Sequence, residues 1–416
     1  MIRDIRKQLR RRSGERRTFL SLRHPIYRLW FWGQLTSLFG TWMQNTAQGF
    51  LIFQLTKSPA FLGYVGFAAG IPTWLFMLYA GVVADRISRR RIMIATQTAM
   101  MILAFISAGL VFAGVIRPWH IILLALGFGT ANAFEAPSRQ AIVQELVPFE
   151  DMTNAIALNS AMFNSSAALG PALGGVIYAL FGPAWCFTVN GISFIAVIIA
   201  LLKMKLPPFV PPMKTRSVRA DLKEGFRYAS RQPLIRTLMG LILVISLFGF
   251  AFVTLIPAWA VAVLHGNATT NGFLTAARGL GALLSALFIA SLGRFKFRGK
   301  LLTLGSFAFP AFMILFAFVR WKPLAYAAIL AGGFALILVF NLANAAVQTL
   351  TPDALRGRVM GIYVFTFFGA MPLGSLMIGA LAARIGEPAA IVWNSLVTLA
   401  FASAVCLFMP KLRRFE

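Results

Sequence analysis

Long apolar stretches alternate with short polar ones along the whole 416-residue chain. Twelve of them are near twenty residues or longer, the length that an α-helix needs to cross about 30 Å of hydrocarbon. Because backbone groups in lipid must be satisfied within their own segment, each stretch is predicted to be a membrane-spanning helix. The predicted spans are residues 27–53, 61–84, 91–115, 119–146, 151–181, 184–204, 236–264, 272–292, 301–319, 324–350, 358–383 and 389–409.

One long polar interruption, residues 203–236, divides these spans into six and six. It opens with two proline pairs, and residues 221–231 follow with the pattern of a short helix. Leu222 and Phe226 stand four residues apart and would face the membrane interface together. The pattern predicts an all-α membrane protein with a basic tail at 1–24, a six-helix bundle at 25–204, a linker at 205–235 and a second six-helix bundle at 236–416.

The two predicted bundles share short sequence repeats. The sequence Ser-Leu-Phe-Gly at residues 37–40, in the first span, recurs at residues 246–249 in the seventh. A Gln-x-Leu-x-Pro pattern at residues 144–148 recurs at residues 348–352, after the fourth and tenth spans. Both repeats fall at equivalent places in a six-plus-six layout, which indicates two related bundles.

The charge of the chain is concentrated at one side of the predicted membrane. The net charge is +27, although only 12% of residues are charged and 59% are hydrophobic. Of the 39 Lys and Arg residues, 33 lie at loops of one parity, where the positive-inside rule places the cytoplasm. Both termini are therefore predicted to be cytoplasmic, with the basic residues 3–17 lying against anionic lipid. This distribution argues against binding to nucleic acid.

The sequence offers no pattern of a catalytic or metal site. Cys186 and Cys406 fall in separate apolar spans and read as small buried hydrophobic residues. The three histidines, His24, His120 and His265, stand far apart without acidic partners at ligand spacing. No nucleophile triad and no nucleotide-binding loop is present. The chain is therefore predicted to be no enzyme and to need no metal or cofactor.

The loop between the second and third spans reads Gly81-Val-Val-Ala-Asp85-Arg86-Ile-Ser-Arg89-Arg90-Arg91. Such a group of charges is costly in hydrocarbon, at about 2.5–3.5 kcal/mol for each ion, so it must lie at a membrane face. The spacing resembles the signature loop of the major facilitator superfamily. The resemblance implies twelve helices in two bundles, and a gating role for Gly81, Asp85, Arg86, Arg89 and Arg90.

The resemblance also suggests partners for these charges. In facilitator relatives the acidic side chain of this loop is placed against the N-terminus of the eleventh helix. At that position this chain has Arg356 and Arg358. Glu145, at the end of the fourth span, is expected to pair with Arg86 or Arg89. These groups together are predicted to close the cytoplasmic side.

The fifth span contains Gly170-Pro171-Ala-Leu-Gly174-Gly175, which resembles the signature of facilitator antiporters that export their substrates. Small residues let two helices approach closely, and proline bends the backbone. The resemblance implies export through a gate at this helix. The alternative is a kinked, tightly packed helix with no bearing on the direction of transport.

A wider resemblance covers essentially the whole chain and points to the branch that contains enterobactin exporters and macrolide efflux pumps. It rests on residues 136–140, 148, 154–159, 221–231 and 355–361. It implies a drug, siderophore or lipid-like substrate, a single copy as the working unit, and a place in the cell (inner) membrane. Ala167 and Ala168 stand where such relatives often have arginine, and the fourth span has no arginine within residues 119–134, which weighs against a standard proton relay.

Three ionisable residues within or at the edge of predicted helices are candidates for proton coupling or substrate binding. Glu135 and Arg139 are four residues apart in the fourth span and so share a face, and Arg278 lies in the eighth. The alternatives are a static Glu135–Arg139 pair and a helix-packing role for Arg278. Polar side chains on the first and tenth spans are expected either to line a cavity or to join helices by hydrogen bonds; they are Gln34, Gln44, Asn45, Gln48, Asn341, Asn344 and Gln348.

These features favour a secondary transporter that exports a small amphiphilic compound by alternating access, coupled to protons. Two further transport activities stay open, a flippase-type carrier of lysophospholipid or another lipid, and a uniporter. A sensor that keeps only the scaffold is a third alternative. The near-intact loop at residues 81–91 argues against the sensor.

Overall fold

A computed structural model describes residues 17–204, 218–293 and 296–413, and the regular structure within them is helical. Twelve long helices lie in these residues: α1 Pro25–Thr56, α2 Pro59–Arg86, α3 Arg89–Phe112, α4 Pro118–Leu146, α5 Met152–Phe181, α6 Pro183–Lys203, α7 Pro233–Val263, α8 Ala268–Leu292, α9 Arg298–Phe318, α10 Lys322–Leu350, α11 Asp353–Ile385 and α12 Glu387–Phe408. A linker helix, Val218–Arg231, precedes α7, and a short 3₁₀ segment, Arg17–Arg23, precedes α1.

Ten of the helices in the described residues are long and apolar enough to cross a membrane. The other two, α1 and α5, are longer than most but carry several Gln, Asn, Ser and Thr side chains. The structure thus confirms the all-helical membrane fold.

Proline fixes the start of many of these helices. In the described residues, seven long helices (α1, α2, α4, α6, α7, α10 and α12) have proline at the first or second position. The first N–H groups of a helix lack intrahelical partners, so proline costs nothing there and its φ is already helical. Each of these helices begins one to three residues before the apolar stretch that predicted it.

The helices pack in the same order in the two halves of the chain. In the first half, α2 packs along α4, α3 packs along α4 and α6, and α1 packs along α5 and α6. In the second half, α8 packs along α10, α9 packs along α10 and α12, and α7 packs along α11 and α12. Two long helix pairs, α2 with α11 and α5 with α8, join the halves.

The helix α7 is irregular where its counterpart α1 is continuous. Regular α-helix ends at Val244, and π turns at Ile245–Gly249 and Trp259–Val263 flank a 3₁₀ turn at Phe250–Leu255. Such π turns are rare in proteins, and many of those that occur lie at functional sites. The irregular part of α7 includes buried aromatic residues such as Phe252 and Trp259.

Most of the described basic residues and both described chain ends lie at one end of the molecule. We call this end, which carries Arg89–Arg91, Arg17–Arg23 and the linker helix, the basic face, and the opposite end the far face. His24 Nε2 lies 2.7 Å from Asp151 Oδ2 at the start of α5. Residues 1–16 of the predicted tail and 205–217 of the predicted linker lie outside the described residues.

Candidate functional site

In each of the two helix pairs that join the halves, the two helices approach each other closely at glycines. A Cβ atom added at Gly175 of α5 would lie 2.6 Å from the carbonyl oxygen of Ala268 and 3.0 Å from Cα of Gly272 in α8. A Cβ atom at Gly63 of α2 would lie 3.2 Å from Cα of Gly379 in α11. Small residues allow such backbone contacts. Because all five residues belong to helix ends nearer the far face, we call these contacts the far-face seams.

The glycine- and proline-containing motif at residues 170–175 packs α5 closely against both α1 and α8. Gly170 and Gly174 face α1, and a Cβ atom at Gly174 would lie 2.9 Å from Cα of Met43. The carbonyl oxygen of Pro171 faces Gly272 of α8. The motif therefore brings α5 into backbone contact with one helix of each half.

A cavity of about 280 Å³ lies between the halves beside the far-face seams. Its walls come from α1, α2, α7 and α8. The side chains that give it chemical character are Trp42, Asn45, Gln48, Thr254, Asn271 and Arg278. Largely apolar cavities of this size with a few convergent polar groups are the usual form of a small-molecule site.

Arg278 is the charged residue of this cavity wall. Its side chain is buried, with 7% of the residue exposed, and its guanidinium lies 5.7 Å from the ring centroid of Phe250. The Nε atom of Arg278 has no hydrogen-bond partner within the described residues. The sequence-predicted candidate for substrate contact is thus present in the cavity.

The predicted lining residues of α1 divide between two places. Asn45 and Gln48 belong to the cavity wall. Gln44 instead lies in the α1–α6 contact, where its Oε1 accepts a hydrogen bond of 2.7 Å from Nδ2 of Asn190. Gln34 is also buried, with 1% exposed. Gln44 thus joins two helices by a hydrogen bond, which is one of the two alternatives predicted for it, and cavity lining by Gln34 and Gln44 stays a prediction.

The predicted lining residues of α10 lie away from this cavity, in the part of α10 nearer the basic face. Gln348 Nε2 donates a hydrogen bond of 2.6 Å to Oδ1 of Asn344, one turn earlier. Asn341 and Gln348 are exposed. These three residues are separate from the walls formed by α1, α2, α7 and α8, so a cavity-lining role for them stays a prediction.

Glu135 is buried in a polar cluster between α3 and α4. Its Oε1 lies 3.1 Å from Nε of Arg139 and 3.4 Å from Nε2 of Gln97. The Arg139 guanidinium lies 6.0 Å from the ring centroid of Phe163, which in turn packs edge-on against Trp42 of the cavity wall. The predicted Glu135–Arg139 pair is present, and aromatic contacts connect it to the cavity.

At the basic face, charged side chains tie helix ends to one another. Arg89 Nη1 lies 2.5 Å from Oε1 of Glu145, one of the two pairings predicted for this acid. Arg90 donates hydrogen bonds of 2.6 and 2.8 Å to the carbonyl oxygens of Leu201 and Leu202 at the end of α6. Carbonyls at a helix end lack intrahelical partners, so a guanidinium there stabilises the end. Arg86 is exposed.

The start of α11 carries the other predicted gating charges. Arg358 Nη1 lies 2.6 Å from Oε2 of Glu224 in the linker helix. Arg356 pairs with Asp353, one turn earlier on α11. Gly81 and Asp85 belong to the part of α2 whose side chains lie outside the described residues, so their predicted roles stay predictions.

Sequence patterns missed several residues of the site. Thr254 and Thr275 lie in predicted apolar spans and Asn271 lies in the polar segment just before one, yet all three contribute to the cavity wall. Glycines at 272 and 279 of α8 carry a seven-residue spacing that places both on one helix face, a signal that could have found the α5–α8 contact. Within the described residues, no group of three or more His, Cys, Asp or Glu side chains could hold a metal ion.

Two bundle-like halves, narrow seams and a cavity between them define a membrane transporter of the facilitator type. Solved transporters share this fold. A variant of the nucleoside transporter NupG superposes with a TM-score of 0.73 at 15% identity, covering 92% of this chain and 99% of that one. A variant of the peptide transporter POT superposes with a TM-score of 0.74 at 12% identity, covering 94% and 95%.

The sequence profile of one family of the major facilitator superfamily, described as transmembrane secretion effector, matches residues 16–416. The chain belongs to this family and is a transporter, not an enzyme. It is 26% identical to the multidrug efflux pump Tap of Mycolicibacterium fortuitum, over 95% of this chain and 98% of that protein. It is 25% identical to the staphyloferrin A transporter of Staphylococcus aureus (83% and 87%) and 26% identical to the enterobactin exporter EntS of Shigella boydii (94% and 94%).

Proposed function

We propose that this chain is a secondary transporter that exports a small amphiphilic molecule by alternating access, in exchange for protons. The observation that carries the proposal is the cavity of about 280 Å³ between two halves whose most extensive contacts are the helix pairs α2 with α11 and α5 with α8. Halves joined in this way can rock about a site between them and open it to one face at a time. The efflux and siderophore-export names of the relatives support the outward direction and the small-molecule substrate.

We propose further that all twelve long helices cross the cell membrane with the basic face in the cytoplasm. At 32 and 30 residues, α1 and α5 exceed the length that a span needs, and several of their polar side chains, among them Gln44 and Ser166, are buried within the protein. The division into a tail, two bundles and a linker is kept as predicted, at 1–24, 25–204, 205–235 and 236–416. One copy supplies the whole cavity, so a single chain suffices for transport.

The test of this function is accumulation of candidate substrates by inside-out membrane vesicles from cells that produce the protein. With a proton gradient imposed, vesicles should concentrate at least one member of a panel of lipophilic cations, macrolides, siderophores and lysolipids. Vesicles without the protein supply the control. Failure of the whole panel would contradict export, whereas equilibration without concentration would indicate a uniporter.

The first prediction concerns Asp85 at the last turn of α2. Asp85→Asn should lower the transport rate severalfold while equilibrium substrate binding stays nearly intact. The start of α11, with Arg356 and Arg358, offers a positive helix end and guanidinium partners to this carboxylate when the basic face closes. Removing the charge therefore destabilises the conformation in which the basic face is closed and leaves the cavity unchanged. Transport in vesicles and binding to purified protein measure the two effects separately.

Asp85→Glu is the matched variant, because it keeps the charge and should retain most of the transport rate. Loss of binding equal to the loss of transport would contradict a gating role for Asp85.

A further inference from the structure

The cavity described above contains a buried positive charge with no acidic partner among the described residues. Arg278 lies ten residues into α8, near the middle of the molecule, and forms no ion pair there. Guanidinium groups in a membrane protein interior usually pair with acids or mark a substrate pathway. Its contact with the Phe250 ring stabilises the charge only in part.

The acidic side chains that the structure describes are engaged elsewhere or lie at helix ends. Glu135 pairs with Arg139, and the acids at positions 145, 151, 224 and 353 pair with basic side chains at the basic face. Asp85 lies sixteen residues beyond Ala69, the last α2 residue of the cavity wall. At about 1.5 Å per residue this is roughly 24 Å along the helix axis.

Close backbone packing fixes the position of Arg278 from two sides. A Cβ atom at Gly333 of α10 would lie 2.5 Å from the carbonyl oxygen of Arg278. A Cβ atom at the neighbouring Gly279 would lie 2.4 Å from the carbonyl oxygen of Ala167 in α5. The helix cannot shift or rotate easily between these contacts. The guanidinium is therefore held in place in advance, which lowers the entropy lost when a ligand binds.

The rest of the wall offers neutral polar groups and apolar surface. Asn45, Gln48 and Thr254 can donate or accept hydrogen bonds, and none carries charge. Asn271 donates through Nδ2 to the carbonyl oxygen of Thr46 at 3.3 Å, while its buried Oδ1 has no partner. Trp42, with leucine and valine side chains of α2, supplies the apolar part. Such a wall suits a molecule with an apolar body and an anionic group.

We infer that the cavity selects anionic amphiphiles, with Arg278 as the specificity-determining residue, and rejects cationic amphiphiles of the same size. The inference rests on the proposed export function and names the substrate class of its site. Attraction or repulsion by an unpaired charge is strong at low dielectric and weakly screened by salt. A carboxylate, sulfonate or catecholate group would meet the guanidinium with charge-assisted hydrogen bonds.

The experiment compares two fluorescent probes that share one dansyl fluorophore and differ in charge. Dansylglycine carries a carboxylate, and dansylcadaverine carries an ammonium group. Purified full-length protein in a neutral detergent should bind dansylglycine more tightly by at least about tenfold, as expected for one uncompensated charge at low dielectric. Equal or tighter binding of dansylcadaverine would overturn the inference.

Three variants test whether Arg278 is the source of this preference. Arg278→Gln should abolish the preference and leave both probes with similar affinities, whereas Arg278→Lys should keep most of it. Arg320→Gln is the matched control, because Arg320 lies over Trp259 outside the cavity and donates to backbone carbonyls. Its preference should match that of the unchanged protein. A preference that survives Arg278→Gln in folded protein would overturn the assignment to Arg278.

Transport separates this inference from the proposed function. If inside-out vesicles concentrate dansylcadaverine as well as dansylglycine, export stands and the charge selection fails. If the protein prefers dansylglycine in binding yet vesicles concentrate neither probe, the charge selection stands and export fails for these molecules. Thermal unfolding of each variant, followed before the binding measurement, identifies protein that has lost its fold.

Discussion

Gly175→Leu should abolish most net transport. A Cβ atom alone at this position would lie 2.6 Å from the carbonyl oxygen of Ala268, so the larger side chain must push α5 and α8 apart by roughly 1 Å or more. Overpacking of this kind costs about 1–3 kcal/mol. Only the conformation with closed far-face seams bears this cost, and its population should fall by about 5- to 150-fold.

Two measurements check this result. Substrate accumulation in inside-out vesicles reports the transport rate. Labelling of Asn45→Cys by a membrane-impermeant maleimide added from the far face reports whether the seams are closed, in protein whose Cys406 has been replaced by serine. The Gly175→Leu variant should label faster than protein with the native glycine. Cys186 is fully buried and should not interfere.

Gly109→Leu is the matched control for this change. Gly109 lies on α3, and a Cβ atom there would meet no atom within 4 Å. The same substitution should therefore leave transport and labelling close to those of the unchanged protein. Normal transport by Gly175→Leu would show that the α5–α8 contact need not close during the cycle.

Glu135→Gln should abolish accumulation driven by the proton gradient and preserve downhill exchange of substrate. The carboxylate is buried against Arg139 and Gln97, so gaining or losing a proton there would change the pairing of Arg139. Arg139 contacts Phe163, and Phe163 contacts Trp42 of the cavity wall. The glutamine keeps the size of the side chain and one acceptor oxygen for these donors, but it cannot bind and release the proton. Accumulation and exchange are measured in the same vesicles with and without the gradient.

Glu150→Gln removes a carboxylate of the same type from the exposed turn just after α4 and serves as the control. Its accumulation and exchange should match those of the unchanged protein. If Glu135→Gln still concentrates substrate against a gradient, the coupling group lies elsewhere. If the unchanged protein shows no response to the gradient, the transporter is a uniporter.

The apolar pattern was sufficient to predict the helices but not their ends. Hydropathy reports where lipid can surround a segment, and it therefore predicted the all-helical fold. Helix starts depend on proline and capping geometry, as at Pro25 and Pro59, which an average over twenty residues does not resolve. The helices α1 and α5 show the same limit in another form, because their Gln, Asn, Ser and Thr side chains lower the mean hydropathy of each span.

The site was predictable where contacts are local along the chain. The Glu135–Arg139 pair spans four residues, so helix periodicity alone predicted it. Gln97 joins that pair from 38 residues away, and Asn190 meets Gln44 from 146 residues away. Such partners depend on how helices rotate against each other. When most side chains are apolar, a single sequence contains little information about that rotation.

The contrast between α1 and α7 gives the two halves unequal stiffness. A continuous helix of 32 residues transmits force along its axis as a rod, whereas the π and 3₁₀ turns of α7 lengthen or misalign backbone hydrogen bonds and bend more easily. When the cavity changes its opening, deformation should therefore concentrate between Ile245 and Val263. The second half, which supplies Thr254, would therefore deform around the substrate, whereas the first half, which supplies Trp42, would keep its shape.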